Sequence, residues 1–250
     1  VITGVANEYS IAWAIAKLFH QHGAELVFTY QGEKVKERVE KLAHSFHPKL
    51  ILKCDVTNDV DVYNLGQQVI DTYGKADILL HCLAFASKEE LQGNFLDTSR
   101  SGYAMANDIS AYSLIALTRT LAPAFRRAGG GSVLFMTYYG AEKAISNYKL
   151  MGVAKAALEA TGMYLAQALG AENIRVNGIS AGPIKTLAAR GISNFSTLQK
   201  TAEKHMPLRS HEELVSDDVA GTAVYLASDL SSCVTGEIIH VDKGFHIVGG

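Results

Sequence analysis

What most constrains this chain is an alternation. Short runs of β-branched and other apolar residues recur along it, and stretches of helical periodicity lie between them. The runs fall at 1–3, 25–30, 49–54, 78–82, 132–138, 174–180 and 237–241. The helical stretches fall at 10–22, 33–44, 59–73, 148–169 and 217–227, with a long one near 99–127. Strands separated by helices of that length predict βαβ units and a parallel sheet. Runs such as LVF, ILL and VLFM carry almost no polar residue, as strands buried on both faces should. The expectation is an α/β fold, a Rossmann-type doubly wound parallel sheet of about seven strands with helices on both faces.

No repeat, low-complexity tract or Pro/Ser-rich linker interrupts the pattern, so 1–250 is read as a single domain. The least periodic region is 185–210, which mixes helix formers with Gly191, Asn194 and Pro207. An irregular excursion at the carboxyl end of a strand is where this architecture puts substrate contacts. The opening VITG reads as the middle of a buried strand, so a few residues are expected to precede Val1.

Totals narrow the function. A formal net charge of -2 gives no reason to expect nucleic acid or an anionic membrane as partner. No apolar run reaches the roughly 18 residues a membrane span needs. Cys54, Cys82 and Cys233 are odd in number and far apart, which argues for a reducing cytoplasm rather than a disulfide framework. No histidine or cysteine spacing fits a metal site, and none is expected.

The first run leads into TGVANEYSIA. A dinucleotide site needs backbone amides at a helix N-terminus facing the pyrophosphate. Gly4 can make the tight turn, and Ser10 is a good N-cap whose hydroxyl could reach helix amides or phosphate. The usual GxGxxG is absent, and an ordinary strand–turn–helix would read the same way. Later strand ends point to the same crevice: Asp55 for an adenine amino group, the small Ala84, and Gly182-Pro183 followed by Thr186. Each has a plain alternative as a cap, as packing or as a turn. The second run is followed at once by Gln31, which suits a ribose diol. Lys34, Lys36 and Arg38 could pair a 2′-phosphate or simply form a solvated helix face. NADH/NAD+ is therefore favoured over NADPH.

The segment TYYGAEKAISNYKLMGVAK places Tyr148 seven residues before Lys155. At about 100° per residue, both fall on one helix face. Met151 lies beside them, while Gly152 and Ala154 keep the neighbouring surface small. A nearby ammonium lowers a phenol's pKa and strengthens its hydrogen bond to an oxyanion. A packed tyrosine beside a snorkelling lysine would give the same spacing.

Tyr-x6-Lys after a parallel strand resembles the short-chain dehydrogenase/reductase superfamily. TGxxxGxG is missing, and so is the usual serine near position 135, where the chain reads FMTY. These departures fit one branch. GVANEYSIAWAIA, GAELVFTYQGE, DISAYS, NYKLMGVAKAALEA, ISAGPIKTLA and TGEIIHVDKGF resemble the bacterial NADH-dependent enoyl-[acyl-carrier-protein] reductases over essentially the whole chain.

That resemblance implies reduction of trans-2-enoyl thioesters, with acyl carrier protein as partner, a homotetrameric assembly and a cytoplasmic location. Tyr148 would be the catalytic tyrosine, Tyr138 a second active-site tyrosine, and Lys155 the ribose-holding lysine. Gly4, Ser10 and Ile11 would contact pyrophosphate. Gln31 would lie on the adenosine side, with Asp55 and Val56 at the adenine. Leu83 and Ala84 would flank the nicotinamide ribose. Ile184, Lys185, Thr186, Leu187 and Ala188 would meet the nicotinamide amide and pyrophosphate. Ala86, Met151, Ile192 and Phe195 would line the acyl pocket under a lid at 185–210. Lys185, Arg190, Lys200 and Lys204 are candidates for the carrier protein's acidic surface.

The chain departs from the branch's commonest pattern at Cys82 (for Ser), Ser146 (for Pro), Lys149 (for Asn) and Lys243 (for a small residue). Tyr139 should point away from the site and pack. Two rivals are a 3-ketoacyl reductase, which should carry the missing serine, and a non-catalytic NADH-binding protein, which should lack the Tyr or the Lys.

Overall fold

A computed structural model describes residues 1–191, 194–209 and 213–248. Among the described residues six strands are formed: β1 (Val27–Tyr30), β2 (Leu50–Lys53), β3 (Ile78–His81), β4 (Gly131–Thr137), β5 (Ile174–Ala181) and β6 (Ile238–Val241). All their pairings are parallel. The seventh expected strand, at 1–3, is reduced to a bridge. Ile2 pairs in parallel with Phe28 of β1 and with Leu80 of β3. The Ile2 amide donates to the Val27 carbonyl at 2.8 Å, and the Thr3 amide to the Leu80 carbonyl at 3.0 Å. This short segment joins the β1–β2 pair to the four strands β3–β6. The sheet runs β2, β1, residues 1–3, β3, β4, β5, β6.

Strand alternation divides the core into two layers. Leu80, Leu134, Met136 and Ile179 face one side, with Ile15, Val39 and Val219 of the helices α1 (Ile11–Gln21), α2 (Glu33–Ala43) and α9 (Ser216–Ala227). Leu79, Val133, Phe135 and Val176 face the other, with Leu65, Leu117 and Leu158. Those three belong to α3 (Asp59–Tyr73), α6 (Ser113–Ala128) and α7 (Leu150–Leu169). Remaining helices are the short α4 (Lys88–Leu91), α5 (Arg100–Asn107) and α8 (Phe195–His205).

Two helical expectations are corrected. The long helix near 99–127 is split: α5 and α6 are separated by a π turn, Asp108–Tyr112, whose Ser110 and Ala111 are buried. The helix expected from 148 begins at Leu150. Its N-cap Lys149 has φ 41° and ψ -118°, outside the helical region, so Tyr148 sits in the preceding turn. The region at 185–210 is also more regular than its sequence suggests, holding a 3₁₀ turn at Ala188–Gly191 and α8.

Candidate active site

The carboxyl ends of the central strands open on a cavity of about 350 Å³. Its floor begins at the first turn. Gly4 has φ +83°, and a Cβ there would lie 2.1 Å from the Cys82 carbonyl oxygen. Only glycine permits this approach of the turn to the β3 exit. Ser10 precedes α1, but its hydroxyl does not cap the helix. It accepts from the amides of Ala6 and Asn7, each at 3.1 Å, and so shapes the turn. The first helical amides, of Ile11 and Ala12, have no backbone acceptor among the described residues, and both residues line the cavity.

Tyr138, Tyr148 and Lys155 line the same cavity. Tyr138 and Tyr148 pack edge to face, with ring centroids 4.8 Å apart. Glycines seat the Tyr148 ring: a Cβ at Gly140 would fall 2.3 Å from it. Lys155 is 6% exposed. Its ammonium donates to the Met136 carbonyl at 2.7 Å and reaches the Leu83 carbonyl at 3.5 Å. It therefore ties the β4 exit to the β3 exit. Neither tyrosine hydroxyl has a hydrogen-bond partner among the described residues, and that of Tyr138 is fully enclosed.

Comparison with known proteins gives one answer. The family model described as Enoyl-(Acyl carrier protein) reductase matches residues 4–246. The chain belongs to that family. The enoyl-[acyl-carrier-protein] reductase [NADH] of Aquifex aeolicus is 48% identical over 249 residues, covering 100% of this chain and 91% of that protein. That of Bacillus subtilis is 47% identical, covering 99% and 95%. The crystal structure of the Aquifex aeolicus enzyme superposes with a TM-score of 0.95, covering 100% of this chain and 96% of that one. The Anaplasma phagocytophilum reductase, solved in complex with NAD, gives 0.94 at 44% identity, covering 100% and 94%.

The reductase's site differs from its sequence reading in electrostatics. Lys155 was expected to lower the Tyr148 phenol. Instead the phenol lies well above its ordinary range, through burial first and then through Tyr138 and Glu159. Burial wins because the Lys155 ammonium is directed at two backbone carbonyls. Burial also pushes the Tyr138 phenol up to about 12, helped by Asp242. The Lys155 ammonium is pushed down to about 8 by burial, opposed by Cys82 and Glu159. Burial pushes the Cys82 thiol up to about 12. Both tyrosines are thus neutral hydrogen-bond donors at physiological pH.

The cavity gathers Gly4, Ser10, Ile11, Leu83, Ala84, Ala86, Tyr138, Tyr148, Met151, Lys155, Ile184, Thr186, Leu187, Ala188 and Phe195. Gln31, Asp55, Val56 and Lys185 do not line it. The Asp55 carboxylate accepts from the Thr57 amide at 3.0 Å and hydroxyl at 2.8 Å, and from Gln31 Nε2 at 3.5 Å. Lys185 turns away to Glu213, 2.6 Å distant. Ile192 and the Arg190 side chain lie outside what is described. Tyr139 packs against Phe245, with ring centroids 5.6 Å apart.

Sequence reasoning missed Leu91 and Leu198, which complete the apolar wall. It also missed Glu159, which accepts from the Thr137 hydroxyl at 2.5 Å, with Thr137 itself on the cavity wall. The signal was available: Glu159 is four residues beyond Lys155 on α7, the spacing of side chains on one helix face. Among the described residues no cluster could hold a metal ion, and no helix is long and apolar enough to cross a membrane.

Proposed function

We propose that this chain reduces the trans-2 double bond of enoyl-acyl-carrier-protein thioesters with NADH, the last reductive step of each fatty-acid elongation cycle. The observation that carries the reading is the apolar cavity lined by Tyr148 and the buried Lys155, with the Tyr138 ring packed edge to face on that of Tyr148. The first turn fits a dinucleotide: Gly4 lets backbone come close, and the helix start leaves amides unpaired for a pyrophosphate. When bound, NADH supplies the hydride.

The chain's own groups do the rest. Tyr148 donates a hydrogen bond to the thioester oxygen as negative charge grows there, a preorganised donor in a water-poor site. Tyr138 becomes a second donor once bound substrate reaches its enclosed, unpartnered hydroxyl. Lys155 holds the ribose hydroxyls while anchored on Met136. Met151, Phe195 and Leu198 enclose the acyl chain and exclude water. Protonation of the α-carbon completes the reduction. NADH is favoured over NADPH because Gln31 directly follows β1, Lys36 pairs with Glu33 at 3.6 Å, and Arg38 donates to the Ala6 carbonyl at 3.1 Å. Of the three candidate cations, two are thus engaged within the chain.

The same reading makes 185–210 the lid of a single reductase domain. Lys200 and Lys204 of α8 are then available to a carrier protein's acidic helix. A cytoplasmic homotetramer is part of the proposal. Exposed Tyr103 and Met105 on α5, with Met163 and Tyr164 on α7, support self-association. The test is NADH oxidation with a trans-2-enoyl thioester beside a 3-ketoacyl thioester. Preference for the enoyl substrate is expected, and preference for the ketoacyl substrate would overturn the assignment. Burial of Phe135 in the core, where the ketoacyl reductases' serine should stand, favours the first outcome.

A further inference from the structure

The motif DISAYS forms the π turn between α5 and α6 and the first residue of α6, and nothing in the reaction above uses it. A π turn widens the helix by one residue and redirects the side chains it contains. Here it sends Ser110 fully inside, 0% exposed. Its hydroxyl accepts from the Phe85 amide at 3.1 Å and faces the Phe85 carbonyl at 3.4 Å. Both backbone groups of one loop residue are thus held by one side chain.

Phe85 lies in the β3 exit loop, 82–86, every residue of which lines the cavity. This loop carries Leu83 and Ala84, at the proposed nicotinamide ribose, and Ala86, on the proposed acyl side. It has three other ties: the Cys82 amide donates to Thr3 Oγ1 at 3.2 Å, Lys155 reaches the Leu83 carbonyl, and Gly4 sits against the Cys82 carbonyl. All three hold its first half. Among the described residues Ser110 holds the second half through its backbone.

We propose that Ser110, turned inward by the π turn, is a positioning residue that fixes the β3 exit loop between coenzyme and acyl chain. The inference rests on the NADH-dependent reading of the cavity. Ser110 acts through the Phe85 backbone and touches neither reactant. A continuous α-helix would rotate it off the loop, which gives the interruption a purpose.

Ser113 supplies the control. It is equally buried, one residue past the same turn, and its hydroxyl bonds the Ile109 carbonyl at 2.6 Å and His81 Nε2 at 2.7 Å. Among the described residues its hydroxyl makes no hydrogen bond to the 82–86 backbone. Ser110→Ala and Ser113→Ala each remove one buried hydroxyl of comparable bonding. Thermal melts, NADH fluorescence titration and steady-state turnover on an enoyl thioester are measured for both. Ser110→Ala is expected to raise the NADH dissociation constant about tenfold and lower turnover, the loss of one buried hydrogen bond. Ser113→Ala is expected to lower the melting temperature while leaving NADH affinity unchanged. NADH affinity within twofold of wild type in Ser110→Ala, or equal losses of affinity in both variants, would overturn the proposal. A wild-type protein that does not bind NADH would overturn the reading beneath it as well.

Discussion

Lys155→Met separates what the site needs from what the fold needs. The lysine is almost fully buried, and its pKa falls from 10.5 to about 8. A shift of that size corresponds to about 3 kcal/mol spent on keeping the ammonium out of water. Methionine removes that charge at similar length. In exchange it leaves the Met136 carbonyl without its donor, a loss of about 1–3 kcal/mol. The two terms nearly cancel, so the variant should fold with wild-type stability at neutral pH.

The pH dependence gives the sharper test. Below about pH 8 both folded and unfolded lysine are protonated, and the burial cost is fully present. Between about 8 and 10.5 the unfolded chain holds the proton and the folded one does not, so wild-type stability rises with pH. Relative to Lys155→Met, the gain should be about 1.4 kcal/mol per pH unit, or roughly 2 kcal/mol from about pH 8 to about pH 9.5. Taking the difference between the two proteins removes the titrating groups that do not sense Lys155, such as Cys54. Urea unfolding at a series of pH values measures it, with NADH titration alongside. NADH affinity should weaken over the same window in which wild-type stability improves. A flat stability difference, or wild-type NADH affinity in Lys155→Met, would refute the reasoning.

Tyr148→Phe should lower kcat/KM about a hundredfold by removing one oxyanion donor, with NADH affinity by fluorescence titration and thermal stability little changed. Gly4→Ala should abolish NADH binding by titration and lower the melting temperature, because the added Cβ meets the Cys82 carbonyl and φ +83° suits only glycine. Glu159→Gln removes a negative charge that holds the Lys155 pKa up. The alkaline limb of its pH–rate profile should move to lower pH, on the order of half a unit. An unmoved limb would show that Glu159 acts only through Thr137.

Much of the architecture was legible because the signals were local. Runs such as ILL and VLFM are too apolar for anything but a sheet covered on both faces, and the helices between them carry ordinary periodicity. What escaped depends on neighbours distant in sequence. No pattern in 99–127 announces a π turn, since that irregularity exists to bring Ser110 to Phe85. Tyr148 was placed on the helix by its spacing to Lys155, yet the backbone at Lys149 takes a non-helical conformation and the helix starts one residue later. The pKa of Tyr148 was misjudged in sign for the same reason. Spacing shows that an ammonium is near, but only coordinates show that it is directed at carbonyls and that burial outweighs it. Gln31 and Asp55 were legible as residue types at strand ends, whereas their bonding to each other, away from the cavity, was not.

The middle of the sheet is held by residues 1–3, which pair with Phe28 on one side and with the more distant Leu80 on the other. Closing such long loops is entropically unfavourable until both neighbours are in place. The pairing of Ile2 with Leu80 spans more of the chain than any pairing between the six strands, so the link between the β1–β2 pair and the β3–β6 set should close late. Its closure is what creates the cleft, because Gly4 and the start of α1 follow directly from Thr3. Coenzyme affinity should therefore recover only with the slowest phase of refolding, after most helical signal has returned.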